Sequence, residues 1–263
     1  MTARLGRPPG VLLAVAVLAS AFLVVPLVAL VADSPWQDLP DLLTDPLTLA
    51  ALRLSVVTSL VASGLCLVLG LPLAWVLARV DFPGRRLLRA LVLVPLVLPP
   101  VVAGVALLTA FGRTGLLGDP LREASGLTIP YTSVAVVLAH TFVALPFFVL
   151  SVEGALRARG PAYDVVAASL GASRLRTFTA VTVPMVGPGI GAGLVLAWAR
   201  SLGEFGATIT FAGNFPRTTQ TMPSLIYTAL QADPAAARAL SLLLLAVSIG
   251  VLAALRTRWL GAP

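Results

Sequence analysis

LSVVTSLVASGLCLVLGLPLAWVL, Leu54–Leu77, carries no charge over its whole length. A helix of that length rises roughly 36 Å, more than the ~30 Å hydrocarbon layer of a bilayer. Outward from it lie five further apolar runs, approximately Val11–Val31, Leu91–Phe111, Ser133–Val152, Val186–Leu202 and Leu240–Leu255. The fifth and sixth of the six runs are near the lower limit of about 17 residues for a span. Backbone groups in hydrocarbon have no water to bond, so each run is expected to be helical. The expected fold class is all-α: a polytopic membrane protein with about six transmembrane helices. No long linker or low-complexity tract breaks the chain, so residues 1–263 read as one domain.

Composition agrees. Of 263 residues, 58% are hydrophobic and 11% charged, with a mean hydropathy of +0.99. A soluble domain carries about 25% charged residues to cover its surface, and this chain has too few. All 18 basic residues are Arg. The pI near 11.1 would suit a nucleic-acid partner. The arginines instead sit in small groups between apolar runs, the distribution of topology signals, so no nucleic acid is expected. The single cysteine, Cys66, lies inside an apolar run and can form neither an intrachain disulfide nor a metal site; a small core or lipid-facing role is expected. No His/Cys/Asp cluster has metal-ligand spacing. Arg4 and Arg7 precede the first run, which is longer than a signal-peptide core and lacks a clear cleavage site before Asp33, so it reads as a retained span.

The connections alternate in charge. Asp33, Asp38, Asp41 and Asp45 follow the first run, whereas Arg79, Arg85, Arg86 and Arg89 follow the second. The third connection is mixed, and the fourth holds Arg157, Arg159, Arg174 and Arg176. With both termini in the cytoplasm, twelve of the 18 arginines lie inside, as the positive-inside rule requires. Pro95, Pro99 and Pro100 fall within the third run. Proline removes a backbone bond and breaks a helix, which lipid tolerates only where protein or a water-lined cavity re-satisfies the backbone. Two readings stand there, a packing kink and a broken helix lining a pathway. Gly104 just beyond permits close helix approach.

The connection over residues 153–183 is long for a loop and is ordered in character. Pro161 opens one short helix and Gly171 closes it, positions those residues favour. Ser173 is a cap for a second, on which Leu175, Phe178, Thr179 and Thr182 share a face. The first is rich in small residues, Ala162, Ala167, Ala168 and Ser169, which suits a helix seated in a groove of another protein. An amphipathic helix on the membrane surface would explain the arginines but not the small residues ending in Gly171.

This loop resembles the cytoplasmic coupling loop of ABC importer permeases (MetI-like type). Gly171 is followed by nine residues and then Val181-Thr182-Val183-Pro184, where the family has Ile-x-Leu-Pro. Val165-Val166-Ala167 stands where Glu-Ala-Ala is expected, with Asp164 one place earlier. The resemblance makes Asp164, Val165, Ala167, Ala168, Gly171, Ala172 and Pro184 the elements that dock into a cytoplasmic ATPase. Further segments look like the molybdate permease subunits of the oxyanion group: Pro95 to Gly104, Phe111 to Gly118, Arg200 to Asn214, then Thr219-Gln220-Thr221-Met222-Pro223 and Ile226-Tyr227. Sulfate relatives tend to have Glu-Tyr-Gly-Ser where this chain has Glu204-Phe205-Gly206-Ala207. The resemblance implies a bacterial cytoplasmic membrane, two permease copies as a homodimer, two cytoplasmic ATPases holding ATP and Mg, an extracytoplasmic oxyanion-binding protein, and no cofactor on this chain.

Arg200 and Glu204, four apart, can pair on one helix face. Ionisable groups at membrane depth face a bundle interior or a pathway, so the pair reads as a structural tie or as a gate. With Pro99, Pro100, Thr208 and Asn214 it makes the candidate pathway; Thr208, Thr210 and Asn214 could supply donors to an anion. His140, without a nearby acid in sequence, reads as a helix–helix hydrogen-bonding residue. A Walker A loop needs a lysine and the chain has none, so no ATPase is expected here. The alternative from another class is an ion-coupled secondary transporter or channel, which would carry charged relays within its spans; a membrane enzyme would need a nucleophile–base or metal constellation.

Overall fold

The structure is a computed structural model, and it describes residues 9–259. Its elements among those residues are all helices: α1 (Gly10–Ala32), α2 (Leu39–Thr44), α3 (Pro46–Arg79), α4 (Arg85–Val97), α5 (Pro100–Phe111), α6 (Gly118–Ser125), α7 (Ser133–Arg159), α8 (Ala162–Ser169), α9 (Arg174–Thr177), α10 (Val183–Met185), α11 (Gly187–Leu202), α12 (Gly206–Ala212), α13 (Met222–Ala232) and α14 (Pro234–Trp259), with one π-helical turn at Phe178–Thr182. Four of them are long and apolar enough to cross a membrane, and six spans result if each of two bent pairs counts as one.

The bent pairs change the reading of two apolar runs. The run Leu91–Phe111 is not one helix. It splits into α4 and α5, bent by 118° at Leu98 and Pro99. Pro100 lacks an N–H and Pro99 disfavours the helical region at Leu98, which is extended. The run Val186–Leu202 begins at Gly187 and is bent by 73° from the helical stretch Arg174–Met185. The other spans outlast their runs. α3 starts at Pro46 because Asp45 caps it, its Oδ2 accepting from the Thr48 backbone N–H at 2.7 Å. α7 continues to Arg159, seven residues into the segment assigned to the loop, and α14 begins at Pro234.

The centre of the fold is α7, flanked by α3 and α11. The face α3 buries is made of Ala51, Ser55, Thr58, Ser59, Ala62, Ser63, Cys66, Gly70 and Ala74 at helical spacing. Small residues let backbones approach, and helix association in lipid depends on that packing rather than on hydrophobic expulsion. Phe148 of α7 fills one end of this seam with Leu77, Leu156 and Ala197. Phe211 of α12 fills a second cluster between α5, α7 and α12, with Ala103, Leu107, Ala139 and Val143. Ser55 Oγ accepts from the Met222 backbone N–H at 2.7 Å, tying the start of α13 to α3. Every side chain of α1 from Val11 to Val28 is exposed, as a lipid-facing helix would be.

Candidate functional site

At one end of the molecule the candidate coupling segment is built from α8, Gly171 and α9. α8 ends in a Schellman closure, with Gly171 N–H donating to Ala168 O at 3.0 Å and Ala172 N–H to Ala167 O at 3.1 Å. Gly171 stands at φ +81°, a conformation that costs a side-chain-bearing residue roughly 1 kcal/mol or more. Ser173 Oγ then accepts from Arg176 N–H at 3.3 Å and starts α9. The face drawn from Leu175, Phe178, Thr179 and Thr182 does not hold together. The π turn widens the helix there, so Leu175 is exposed, Phe178 packs edge-on to Trp75 at 5.8 Å, and Thr182 is buried.

Asp164 fixes this segment to the bundle. One carboxylate oxygen takes Arg79 Nε at 3.1 Å, and the other takes the Thr182 hydroxyl at 2.7 Å. Arg79, in the last turn of α3, also donates to the Gly160 carbonyl. One guanidinium and one hydroxyl therefore join α3, α8 and the π turn around a cavity of about 360 Å³, lined in part by Ala168, Ala172 and Thr177. Beside it, Glu153 receives Arg89 at 2.5 Å and Arg157 at 2.9 Å, which ties α4 to α7. Arg79, Arg89 and Arg157 emerge from the sequence only as charges that report topology; the pairings of Arg79 with Asp164 and Gly160, and of Arg89 with Glu153, span 64 or more residues.

With its inner side held, α8 turns Tyr163, Val165, Val166 and Leu170 outward, each more than half exposed, and Leu170 reaches 83%. Ala167 is half-buried and Ala168 exposed. The outward surface is thus made chiefly by large apolar side chains, with Ala162, Ala168 and Ser169 exposed among them. An ordered apolar patch on a basic face suits a protein partner. Pro184 sits in the first turn of α10, exposed.

The second cluster lies where α11 meets α12. Arg200 Nη2 is 2.5 Å from Glu204 Oε2, and the Glu204 side chain is 1% exposed. Its other oxygen accepts the Ala207 backbone N–H at 2.8 Å, one of the free donors of the first turn of α12. Glu204 therefore anchors α12 as well as Arg200. α12 crosses α5 at very short range: a Cβ on Gly206 would lie 2.5 Å from Pro100 Cβ, and one on Gly104 would lie 2.6 Å from Thr210 Cβ. Pro99 caps α5, so the break at Pro99–Pro100 and the Arg200–Glu204 pair meet at one junction. The Thr208 hydroxyl is buried with no partner, whereas Thr210 donates to Gly206 O at 2.8 Å. Asn214 lies beyond the other end of α12, where its Nδ2 donates to Thr228 Oγ1 at 3.0 Å. His140 is buried, and both its ring nitrogens lack the hydrogen bond expected between helices. No group of three His, Cys, Asp or Glu fit to hold a metal occurs among the described residues.

The chain resembles several known permeases over most of its length. It is 52% identical over 227 residues to the molybdenum transport system permease protein ModB of Mycobacterium tuberculosis, covering 86% of each chain. It is 41% identical to ModB of Escherichia coli, covering 83% of this chain and 95% of that one. It is 38% identical to the sulfate transport system permease protein CysT of Salmonella typhimurium, covering 89% and 86%. Among solved structures, a bacterial alginate ABC transporter in complex with an alginate pentasaccharide-bound periplasmic protein superposes with a TM-score of 0.71 at 19% identity, over 94% of this chain and 91% of that one; this establishes the shared fold. The family of binding-protein-dependent transport system inner membrane components matches residues 70–261, and the chain belongs to it.

Proposed function

We propose that this chain is the transmembrane subunit of an ATP-driven importer for molybdate, or for a related oxyanion such as tungstate or sulfate. The observation that carries the mechanism is the coupling segment: an apolar surface held rigidly against α3 through Asp164. A partner that pulls on Tyr163, Val166 and Leu170 moves α3 through Arg79 and the α10–α11 bend through Thr182. Two copies of the permease and two cytoplasmic ATPases complete the machine, with ATP and Mg on the ATPases and an extracytoplasmic protein delivering the anion. This chain is a permease component and no enzyme. Both termini and the coupling segment face the cytoplasm, where twelve of the 18 arginines then lie. Alternating access requires two packings of nearly equal energy, and the α5–α12 crossing beside Arg200 and Glu204 is the junction where they exchange.

Molybdate is favoured by the ordering of relatives, 52% and 41% for the two molybdenum permeases against 38% for the sulfate permease. Membership of a binding-protein-dependent family speaks against the ion-coupled secondary transporter or channel. The test is uptake of labelled molybdate, tungstate and sulfate by the reconstituted complex, with and without ATP. Molybdate or tungstate uptake that needs ATP and the binding protein is expected. Uptake driven by an ion gradient alone would overturn the reading. Reporter fusions after Arg89 and Arg176 should read as cytoplasmic, and fusions near Asp41 and Gly118 as external.

A further inference from the structure

At the end of the bundle opposite the coupling segment, a groove of about 540 Å³ runs between the first half of α3 and the start of α7. Its head is basic. Arg53 and Arg217 both line it, both are exposed, and neither has a salt bridge or a side-chain hydrogen bond among the described residues. Its walls are aliphatic, with Leu54, Val57 and Val61 on α3 and Val137 on α7. Val57 and Val61 are each about half exposed, so the groove opens sideways, toward lipid. Arg53 immediately precedes the uncharged run Leu54–Leu77, which puts its guanidinium at the boundary of the hydrocarbon layer.

The loop that brings Arg217 to this position is strained and anchored. Arg217 is at φ +64° and Tyr131 at φ +63°, the two non-glycine residues in the left-handed region among the described residues. Such backbone costs energy and persists where surrounding contacts fix it. Here Ser133 Oγ donates to Thr218 O at 3.0 Å, and Tyr131 stacks edge-on with Phe215 at 5.9 Å. The loop is thus held against α7 with an unpaired cation over an apolar trough.

We propose that this groove binds one anionic phospholipid, its phosphodiester against Arg53 and Arg217 and an acyl chain along Val57, Val61 and Val137. The combination of head and walls selects this occupant. A small oxyanion would use the two arginines but leave the aliphatic walls unfilled. An acidic segment of a protein partner would engage the cations from outside the bilayer and likewise leave the walls to lipid. A phospholipid satisfies both, and basic side chains at a membrane surface attract anionic headgroups.

The test uses the full-length permease purified into nanodiscs, with phosphatidylglycerol as the probe in a phosphatidylcholine background. A reporter is attached at Val57→Cys; the native thiol, Cys66, is fully buried and unreactive by position. Quenching by phosphatidylglycerol bearing a quencher on its acyl chain is expected to saturate, while quencher-labelled phosphatidylcholine gives only proportional, unsaturated quenching. Arg53→Gln or Arg217→Gln should weaken saturation by about 5-fold each, and the pair by roughly 30-fold, from the usual attraction per basic residue. Both residues are exposed, so these variants are expected to fold; Arg86→Gln, an exposed arginine at the other end, is the control and should change nothing. Equal saturation by both lipids, or no effect of the arginine variants, would overturn the proposal. So would full competition by millimolar inorganic phosphate or molybdate, which would mark a free-anion site. Disulfide formation between Val57→Cys residues of two copies at high yield would overturn it too, because the groove would then be covered by a second chain.

Discussion

The coupling segment and the α11–α12 junction each depend on one carboxylate that does two jobs, but the two are built in opposite ways. Asp164 joins groups that are 85 and 18 residues away in sequence, and it sits near the surface with a side chain 19% exposed. Glu204 joins groups four and three residues away, and it is 1% exposed. Asp164 links separate elements, so breaking it releases one body from another. Glu204 organises a single corner of chain, so breaking it disturbs the corner itself. The contrast fits the two proposed tasks: a lever would transmit force between elements, whereas Glu204 would hold one corner of chain together beside the helix crossing.

Glu204→Ala tests the contrast with the largest effect. It leaves the Arg200 guanidinium without its partner and strips the Ala207 N–H of its acceptor in a buried place. Removing one member of a buried pair costs about 3–5 kcal/mol. The low end is expected here, because the Arg200 side chain is 28% exposed. Folded permease recovered from the membrane should fall sharply, as should thermal stability in detergent. Glu204→Gln keeps an acceptor for Ala207 and should recover part of the loss. Normal recovery of the alanine variant would show that the corner is held by the α5–α12 packing alone.

Gly171→Glu should produce the opposite signature, complete loss of transport with a folded permease. No atom lies within 4 Å of a Cβ built there, so the chain itself accommodates the side chain. The left-handed φ costs roughly 1 kcal/mol. The added carboxylate instead stands on the proposed docking surface between Leu170 and Ala172. Co-purification of the ATPase should fall below detection while permease yield holds. Normal recovery of ATPase with normal uptake would remove α8 and Gly171 from the interface.

The legibility of these two regions in the sequence follows the same division. The Arg200–Glu204 pair was open to reading because helical spacing places residues four apart side by side. That Glu204 also anchors α12 was not, since α12 lies in a connection that carries no spanning run. The Pro99–Pro100 break was visible as a loss of helix, yet the 118° bend is set by what α5 packs against, chiefly Gly206 and Ala207. Gly171 and Ser173 announced the two short helices through backbone chemistry that is local. Arg79 and Thr182 as partners of Asp164 could not be found, because nothing in a single sequence ties residues that distant. Small residues on α8 suggested the docking face; the structure leaves Ala162, Ala168 and Ser169 exposed and turns the larger Tyr163, Val166 and Leu170 outward beside them, while Asp164 faces inward.

Asp164→Asn should have an intermediate effect. The amide oxygen can still accept one hydrogen bond, but the charge that holds Arg79 is gone. A hydrogen bond to a charged group contributes about 1.5–3 kcal/mol, and partial retention leaves a local loss of about 1–2 kcal/mol. Permease yield should be unchanged. Amide exchange across Ala162–Ser169 should accelerate by roughly tenfold, and ATP hydrolysis should continue with less transport per ATP. Unchanged exchange would mean that α8 is held by packing and that Asp164 transmits nothing.

Thr182→Val gives the smallest effect and separates the two arms of Asp164. Valine matches threonine in shape, so packing under the π turn is kept while the hydroxyl's 2.7 Å hydrogen bond to Asp164 and its longer 3.3 Å contact to Thr177 O are lost. Because Arg79 still pairs with the carboxylate, the expected local cost is about 1 kcal/mol, or roughly fivefold in α8 amide exchange. The informative quantity is the cycle with Asp164→Ala. If Thr182 acts only through Asp164, the double variant should exchange no faster than Asp164→Ala alone. If instead the two effects multiply, the Thr182 hydroxyl has an independent role. Its second contact, to Thr177 O at 3.3 Å within the π turn, would then be the one that matters. In that case the lever would run from α8 to α3 through Arg79 only, and the bend between α10 and α11 would respond to the ATPase by packing rather than through the carboxylate.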